Sequence, residues 1–340
     1  MKLGQKLKEV EKLYTHGDYI SAENIALELL ANSKEISEVE YVNLLNNLSA
    51  IYKATNRYNE AIRMLKKSLK ISPNIATTYN NLGTIYSDMG NYHKAMKLFQ
   101  KSLKISPNIA TTYNNLGAIY SNMGDYHKAM ELFQKSLEIY EDKQDVLNIA
   151  TTYNNLGTIY SDMRDYSMAM ELFQKSLEIY MKHLGSEHPN TAMMLKNLAS
   201  IYVQIGNYEK GLELLLKSLS ISEKILGNNH PSVISTLSNL AVVYSNIGEY
   251  KRAIELFEIV YRNTLLNFGD KHPQLGYTLY SMAIINNNIG NYELSGMQFK
   301  KSAEILENSL GSKHELVQEI NNKLKTINFG QRIGEKMPNA

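Results

Sequence analysis

Apolar and polar positions alternate with a helical period along almost all of this 340-residue chain. Between residues 76 and 109, Leu82, Ile85, Tyr86 and Met89 are spaced by three, one and three and share one helical face. Gly90-Asn91 then interrupts the chain, and Tyr92, Ala95, Met96, Phe99 and Leu103 open a second face. The pattern predicts a helix hairpin. Residues 76–105 recur 34 residues later with 25 of 30 positions identical, and again from Ala150. One leucine followed through the chain falls at Leu48, Leu82, Leu116, Leu156, Leu198 and Leu240, with Met282 ending the series, in steps of 34, 34, 40, 42, 42 and 42. The spacing predicts eight hairpins, at about 1–40, 41–75, 76–109, 110–149, 150–191, 192–233, 234–275 and 276–311. The first is degenerate, keeping Tyr14, Gly17, Tyr19 and Ala22. Leu316, Val317, Ile320, Leu324 and Ile327 predict a capping helix over 312–328, stopped by Gly330 and followed by a mobile tail, 329–340.

A lone hairpin cannot bury both of its apolar faces, whereas a stack of them can. Small residues such as Gly83, Ala95 and Ser102 are expected to let the paired helices approach closely, with Tyr79, Tyr86, Tyr92 and Phe99 filling the gap to the next unit.

The order Tyr79, Leu82-Gly83, Tyr86, Gly90-x-Tyr92, Ala95, Phe99, Ser102 and Pro107 resembles the pattern of tetratricopeptide repeat (TPR) proteins, with Tyr in place of the usual first Trp. The resemblance covers about residues 1–328 and implies an all-α fold, a right-handed α-solenoid of about eight TPR hairpins plus a C-terminal capping helix. From Leu184 onward, LGSEHPN, ILGNNHPSV and NFGDKHPQL, joined to NLASIY and NLAVVY, resemble the 42-residue repeats of kinesin light chains and nephrocystins. Kinesin light chains also carry an N-terminal heptad coiled coil. Nothing in residues 1–40 sustains one, so motor attachment is not implied.

Composition narrows the function classes. Thirty-six Lys and Arg against 34 Asp and Glu leave a formal charge of +2, too balanced for electrostatic binding of nucleic acid or an anionic membrane. No cysteine is present, which removes disulfides, thiolate metal sites and a Cys nucleophile. The opening MKLGQKLKEVEKLY has no apolar stretch, and no run approaches the roughly 18 apolar residues of a membrane span, so a soluble, cytoplasmic protein is expected. His188, His230, His272 and His314 recur every 42 residues, three of them before Pro, and are read as helix starts rather than metal ligands. His93 and His127 recur at 34, while His16 and His183 are single. No phosphate-loop, zinc-protease or nucleophile-elbow motif occurs, so no catalytic residue, metal or cofactor is expected, and the chain is not read as an enzyme. Basic pairs such as Lys66-Lys67 and Lys300-Lys301 are read as solvated faces of second helices.

The informative residues lie on the first helices, which in TPR proteins line the concave surface. Asn precedes the leucine of each repeat at Asn47, Asn81, Asn115, Asn155, Asn197 and Asn239. An Asn amide matches the C=O and N–H of an extended peptide, so such a ladder can grip a backbone whatever its side chains. Alternatively, each Asn bonds to the neighbouring repeat and holds the stack, and both roles can coexist. Around the ladder the expected lining is polar and nearly uncharged: Asn80, Thr84, Ser87 and Asp88, then Asn114, Ala118, Ser121 and Asn122, then Asn154, Thr158, Ser161 and Asp162. Only Lys53 and Lys196 are basic there, which disfavours the carboxylate clamp of chaperone cofactors in this family. The distal end, with Met193, Lys196, Val203, Tyr277, Tyr280 and Ile284, offers apolar anchors. The expected partner is a protein or peptide, bound by a scaffold or by a sensor resembling the bacterial TPR receptors.

Overall fold

In the computed structural model, residues 3–15, 18–31 and 36–334 are described. His16 and Gly17, and residues 335–340 of the expected tail, lie outside them. The described residues are helical with no strand, and the chain divides into two compact units, 1–159 and 160–340.

The first unit contains α1 (Leu3–Thr15), α2 (Tyr19–Ala31), α3 (Glu38–Ala54), α4 (Tyr58–Ile71), α5 (Ala76–Asp88), α6 (Tyr92–Ile105), α7 (Ala110–Asn122), α8 (Tyr126–Asp142) and most of α9 (Val146–Asp162). α1 to α8 pair into antiparallel hairpins, and each second helix touches the first helix of the next pair, α2 on α3, α4 on α5 and α6 on α7. The first helices α1, α3, α5 and α7 also touch in succession. A continuous core results, in which Leu82, Ile85 and Phe99 meet Leu116 and Ile119 of the following hairpin.

The second unit holds α10 (Tyr166–Leu184), α11 (Pro189–Gln204), α12 (Tyr208–Leu226), α13 (Pro231–Asn246), α14 (Tyr250–Phe268), α15 (Pro273–Asn288), α16 (Tyr292–Leu310) and α17 (Glu315–Gly334). Its neighbours repeat the same rule, α10 on α11, α12 on α13, α14 on α15, and α11 on α13 on α15. Phe257 of α14, for example, packs with Met282 and Ile285 of α15.

Close approach within a hairpin has a measurable cause. A Cβ on Gly83 would stand 2.5 Å from Phe99 Cε1, so only glycine lets the ring approach α5 this closely. Ser102 adds a bond to its small size, its buried hydroxyl donating to the Ala76 carbonyl at 2.8 Å. Ser136, Ser218 and Ser302 make the same bond to the carbonyls of Ala110, Ala192 and Gly276. Between the paired helices the chain turns through a left-handed residue, with φ of 73° at Gly90 and 62° at Arg164.

The histidines with a 42-residue period are helix N-caps. The backbone N–H of Asn190 donates to His188 Nδ1 at 3.1 Å, that of Ser232 to His230 Nδ1 at 3.1 Å, and that of Gln274 to His272 Nδ1 at 3.3 Å. Each is followed by Pro in the first helical turn, where a missing N–H costs nothing. These caps start α11, α13 and α15 three residues before 192, 234 and 276, where the repeat-based boundaries fall. At the C-terminus, Val317 and Ile320 are fully buried with Leu316 and Leu324 packed alongside, as a capping helix requires. Gly330 does not stop that helix, which continues to Gly334. Glycine inside a helix costs only about 1 kcal/mol relative to Ala and breaks no hydrogen bond. The side chain of Ile327 lies outside the described residues.

Candidate functional site

In the first unit, α3, α5, α7 and α9 each carry an Asn-Asn-Leu triplet. The leucine is buried in the core, which leaves the two preceding amides half-buried toward the neighbouring repeats. The second Asn of one repeat donates to the first Asn of the repeat before it. Asn81 Nδ2 reaches Asn46 Oδ1 at 3.1 Å, Asn115 Nδ2 reaches Asn80 Oδ1 at 3.2 Å, and Asn155 Nδ2 reaches Asn114 Oδ1 at 2.8 Å. A buried threonine reinforces each of the first two links: Thr112 Oγ1 donates to Asn80 Oδ1 at 3.0 Å, and Thr78 Oγ1 to Asn46 Oδ1 at 3.3 Å. Asn115 Nδ2 also lies 3.3 Å from Thr84 Oγ1, and the Thr84 hydroxyl donates to the Asn80 carbonyl. The amide donors therefore face the preceding repeat and tie the stack together. Thr158 makes the Thr84-like bond to the carbonyl of Asn154, and Asn154 donates to Asn155 Oδ1 at 3.3 Å. Asn47 lines a cavity with Val10, Glu11, Tyr14, Ala50 and Ile51.

Asn46, Thr78 and Thr112 were not among the expected site residues. Their signal was present in the recurrence of TTYNNLG, since a Thr and the Asn two positions after it both repeat, as at Thr78 and Asn80 and at Thr112 and Asn114, but a recurring Thr also reads as ordinary core.

In the second unit the row changes chemistry. Lys196 and Ser238 occupy the first Asn position, ahead of Asn197 and Asn239. Asn239 Nδ2 lies 3.4 Å from Ser200 Oγ, and Lys196 Nζ donates to Ser235 Oγ at 3.2 Å. Burial holds the Lys196 ammonium below the usual lysine range, because water is removed from the charged form. Lys53, in the first unit, is instead paired with Asp88 at 3.2 Å. Of the expected aromatic anchors, Tyr277 is 38% exposed, whereas Tyr280 is committed: its hydroxyl donates to Glu319 of α17 at 2.7 Å and its ring meets Phe299 edge-on. Burial, with the Glu319 carboxylate beside it, pushes the Tyr280 phenol up to about 12. The basic pairs hold rings rather than ligands, with Lys67 Nζ 5.0 Å from the Tyr41 centroid and Lys301 Nζ 5.6 Å from that of Tyr261. Among the described residues no three His, Cys, Asp or Glu side chains are grouped to hold a metal ion, and no helix is long and apolar enough to cross a membrane.

A tetratricopeptide repeat model matches residues 76–109, a second matches 108–182, 148–210 and 190–264, and a TPR repeat model matches 50–90. No curated protein matches the sequence. Among solved structures, a chain of the APC/C hetero-tetramer Cut9–Hcn1 is 15% identical with a TM-score of 0.71, over 95% of this chain and 55% of that one. This chain thus spans about half the length of that relative. The apo form of the quorum sensor NprR from B. thuringiensis is 17% identical with a TM-score of 0.69, over 89% of this chain and 86% of that one. Nearly identical kinesin light chain TPR-like repeats from Podosopora anserina align with 23% identity and a TM-score of 0.49, over 60% of this chain and 97% of that one. At such identities the likeness is one of fold. Together with the recurring hairpins, the repeat models establish an all-α repeat solenoid, and the chain belongs to the tetratricopeptide repeat family.

Proposed function

We propose that this protein is a non-enzymatic, cytoplasmic interaction scaffold that holds an extended peptide or protein segment along the first helices of its repeats. The observation that carries the reading is the partial use of the Asn amides. Nδ2 of Asn81 and Asn115 is turned to the preceding repeat, and among the described residues their Oδ1 atoms accept no hydrogen bond. Held in place by the stack, these oxygens are acceptors for successive N–H groups of an extended backbone, a recognition indifferent to side chains. Binding and stacking are then two uses of one amide. Neutral residues around the row, and the pairing of Lys53 with Asp88, support a ligand chosen by shape and hydrogen bonds over one chosen by charge.

A photo-crosslinking amino acid placed at Ala118, an exposed position beside the row, or at Gln100, exposed on a second helix, tests this in lysate. The scaffold predicts adducts at Ala118 that map to one linear stretch of a partner and none at Gln100. Equal yields at both would contradict it. A second reading draws on the likeness to the quorum sensor NprR: the chain changes curvature around a peptide and controls another protein. Ligand-induced compaction in small-angle scattering supports that reading, and an unchanged envelope supports the scaffold.

A further inference from the structure

The near-neutral charge of the whole chain is an average over unlike parts. Residues 58–109 hold eight Lys and Arg against two acids, Glu60 and Asp88, a local charge of +6 in a chain whose total is +2. All eight lie on two successive second helices of the first unit. On α4, Arg63, Lys66, Lys67 and Lys70 are spaced by three, one and three; on α6, Lys94, Lys97, Lys101 and Lys104 are spaced by three, four and three. Each set forms one stripe along its helix, and all eight residues are exposed. Arg63 and Lys97, Lys67 and Lys101, and Lys70 and Lys104 are each one 34-residue repeat apart. The stripes are therefore in register and make a two-row array of positive charge on the second helices, whereas the Asn row is on the first.

The repeats carry their own control. Residues 76–105 and 110–139 differ at five positions, and two of these, Lys97 against Glu131 and Lys104 against Glu138, exchange Lys for Glu on this face. The place of Arg63 and Lys97 is held in later second helices by Glu131, Glu171, Glu213 and Glu255. There Glu131 bridges Lys128 and Lys135 at 2.7 and 3.1 Å, and Glu213 bridges Lys210 and Lys217 at 2.7 and 2.6 Å. On α4 and α6 that neutralising acid is replaced by a further cation. Among the described residues, the acid that pairs with the eight is Glu60, 3.9 Å from Arg63 and already held by Arg57 at 2.6 Å. Lys67, Lys94 and Lys101 cover tyrosine rings, which leaves their charge intact. Since residues 110–139 form the same hairpin with Glu at two of these places, folding does not call for the concentration of charge, and like charges one turn apart oppose it.

Seven of the eight cations are Lys, hydrated point charges without the fork by which Arg grips a single carboxylate or phosphate. No exposed aromatic ring stands among them to stack a base. A two-row array of plain charge matches a broad anionic surface better than a single strand. We propose that the face formed by α4 and α6 docks this protein on a membrane surface rich in acidic phospholipid headgroups, by charge and without insertion. Clusters of four to eight Lys and Arg suffice for such attraction. Docking through the second helices leaves the Asn row on the first helices open to its ligand, and a lipid surface supplies no polypeptide to a crosslinker at Gln100.

Co-sedimentation of the full chain with phosphatidylcholine vesicles, plain or with about 30% phosphatidylserine, tests the proposal. Retention is expected on the mixed vesicles alone, and raising the salt from about 0.1 M to about 0.5 M should abolish it. Lys97→Glu with Lys104→Glu installs the residues that α8 carries at the same places, so the hairpin keeps its fold and its circular dichroism, and retention should fall about tenfold or more. Glu131→Lys with Glu138→Lys extends the array to a third helix and should raise retention severalfold. Lys300→Glu with Lys301→Glu makes the same change of charge in the second unit and should leave it unaltered. No retention on the mixed vesicles, or equal losses in the two Lys→Glu variants, overturns the proposal. So does a labelled DNA duplex held more tightly than the vesicles with the same dependence on Lys97 and Lys104, which would assign the face to nucleic acid. Polypeptide adducts at Gln100 that vanish in the Lys97→Glu, Lys104→Glu variant would overturn it in favour of an acidic protein.

Discussion

Arg164 stands where five other turns between paired helices have Gly90, Gly124, Gly206, Gly248 and Gly290, and where the α3–α4 turn has Asn56; it adopts the same left-handed backbone, φ 62° against 59° at Asn56 and 73–85° at the glycines. An L side chain there costs about 1 kcal/mol, and a Cβ at the equivalent glycines meets nothing within 4 Å. Arg164→Gly should therefore raise stability by about 1 kcal/mol in chemical denaturation; an unchanged or lowered midpoint would mean that the turn is not strained. This position was legible in the sequence because a repeat supplies its own controls. The fate of the Asn amides was not. Their spacing marks a row, but whether a donor points at a ligand or at the preceding repeat depends on an inter-repeat offset of a few ångströms, set by packing between adjacent hairpins such as that of Leu82 and Ile85 with Leu116 and Ile119.

At the scale of the element, the helices differ mainly in how they begin. Asn91, Asp125, Asp165 and Asn207 each accept a hydrogen bond from the backbone N–H three residues on. Glu249, in the same place before α14, makes no such bond, because one extra methylene carries its carboxylate past the cap geometry. Glu249→Asp should restore the cap and add about 0.5–1 kcal/mol, read as a higher thermal midpoint; no change would show that α14 starts on packing alone. The histidine starts were readable from their period and from the Pro that follows, although not that Nδ1 is the capping atom, which requires the proton on Nε2. Less legible was the polar patch at the end of the second unit. Asn286, at the repeat position of Tyr86, is buried and donates to Gln298 Oε1 at 3.0 Å, while Ser295 donates to the Ala283 carbonyl at 2.8 Å. The departures at Asn286 and Gln298 compensate each other, Ser295 is satisfied by the backbone, and only the contacts reveal it. Gly330 misled for a related reason, since a glycine ends a helix only where the backbone turns left-handed, and the residue alone does not specify that.

For the whole molecule, stability rests on contacts between adjacent repeats, so repeats should be removable. Deleting residues 110–149 takes out α7, α8 and the first turn of α9, and joins Ile109 to Ala150, which recreates the Ile75-Ala76 junction found one repeat earlier. The shortened chain should fold and lose helical circular dichroism only in proportion to its length; aggregation or a larger loss would reveal long-range contacts that adjacent packing does not supply.

The proposal that one amide row both ties the repeats and holds a peptide backbone is tested most directly by changing Asn81, Asn115 and Asn155 to Ala together and measuring the thermal midpoint and partner capture on the same protein. Each lost inter-repeat bond removes about 0.5–1.5 kcal/mol, and the better helix propensity of Ala returns up to about 0.7 kcal/mol per site. A modest net destabilisation of about 1–2 kcal/mol is expected, with the protein still folded at 25 °C and capture of a linear segment at Ala118 reduced at least tenfold. A variant with the lowered midpoint but undiminished capture would contradict the ladder as a binding device and leave it a fastening between repeats.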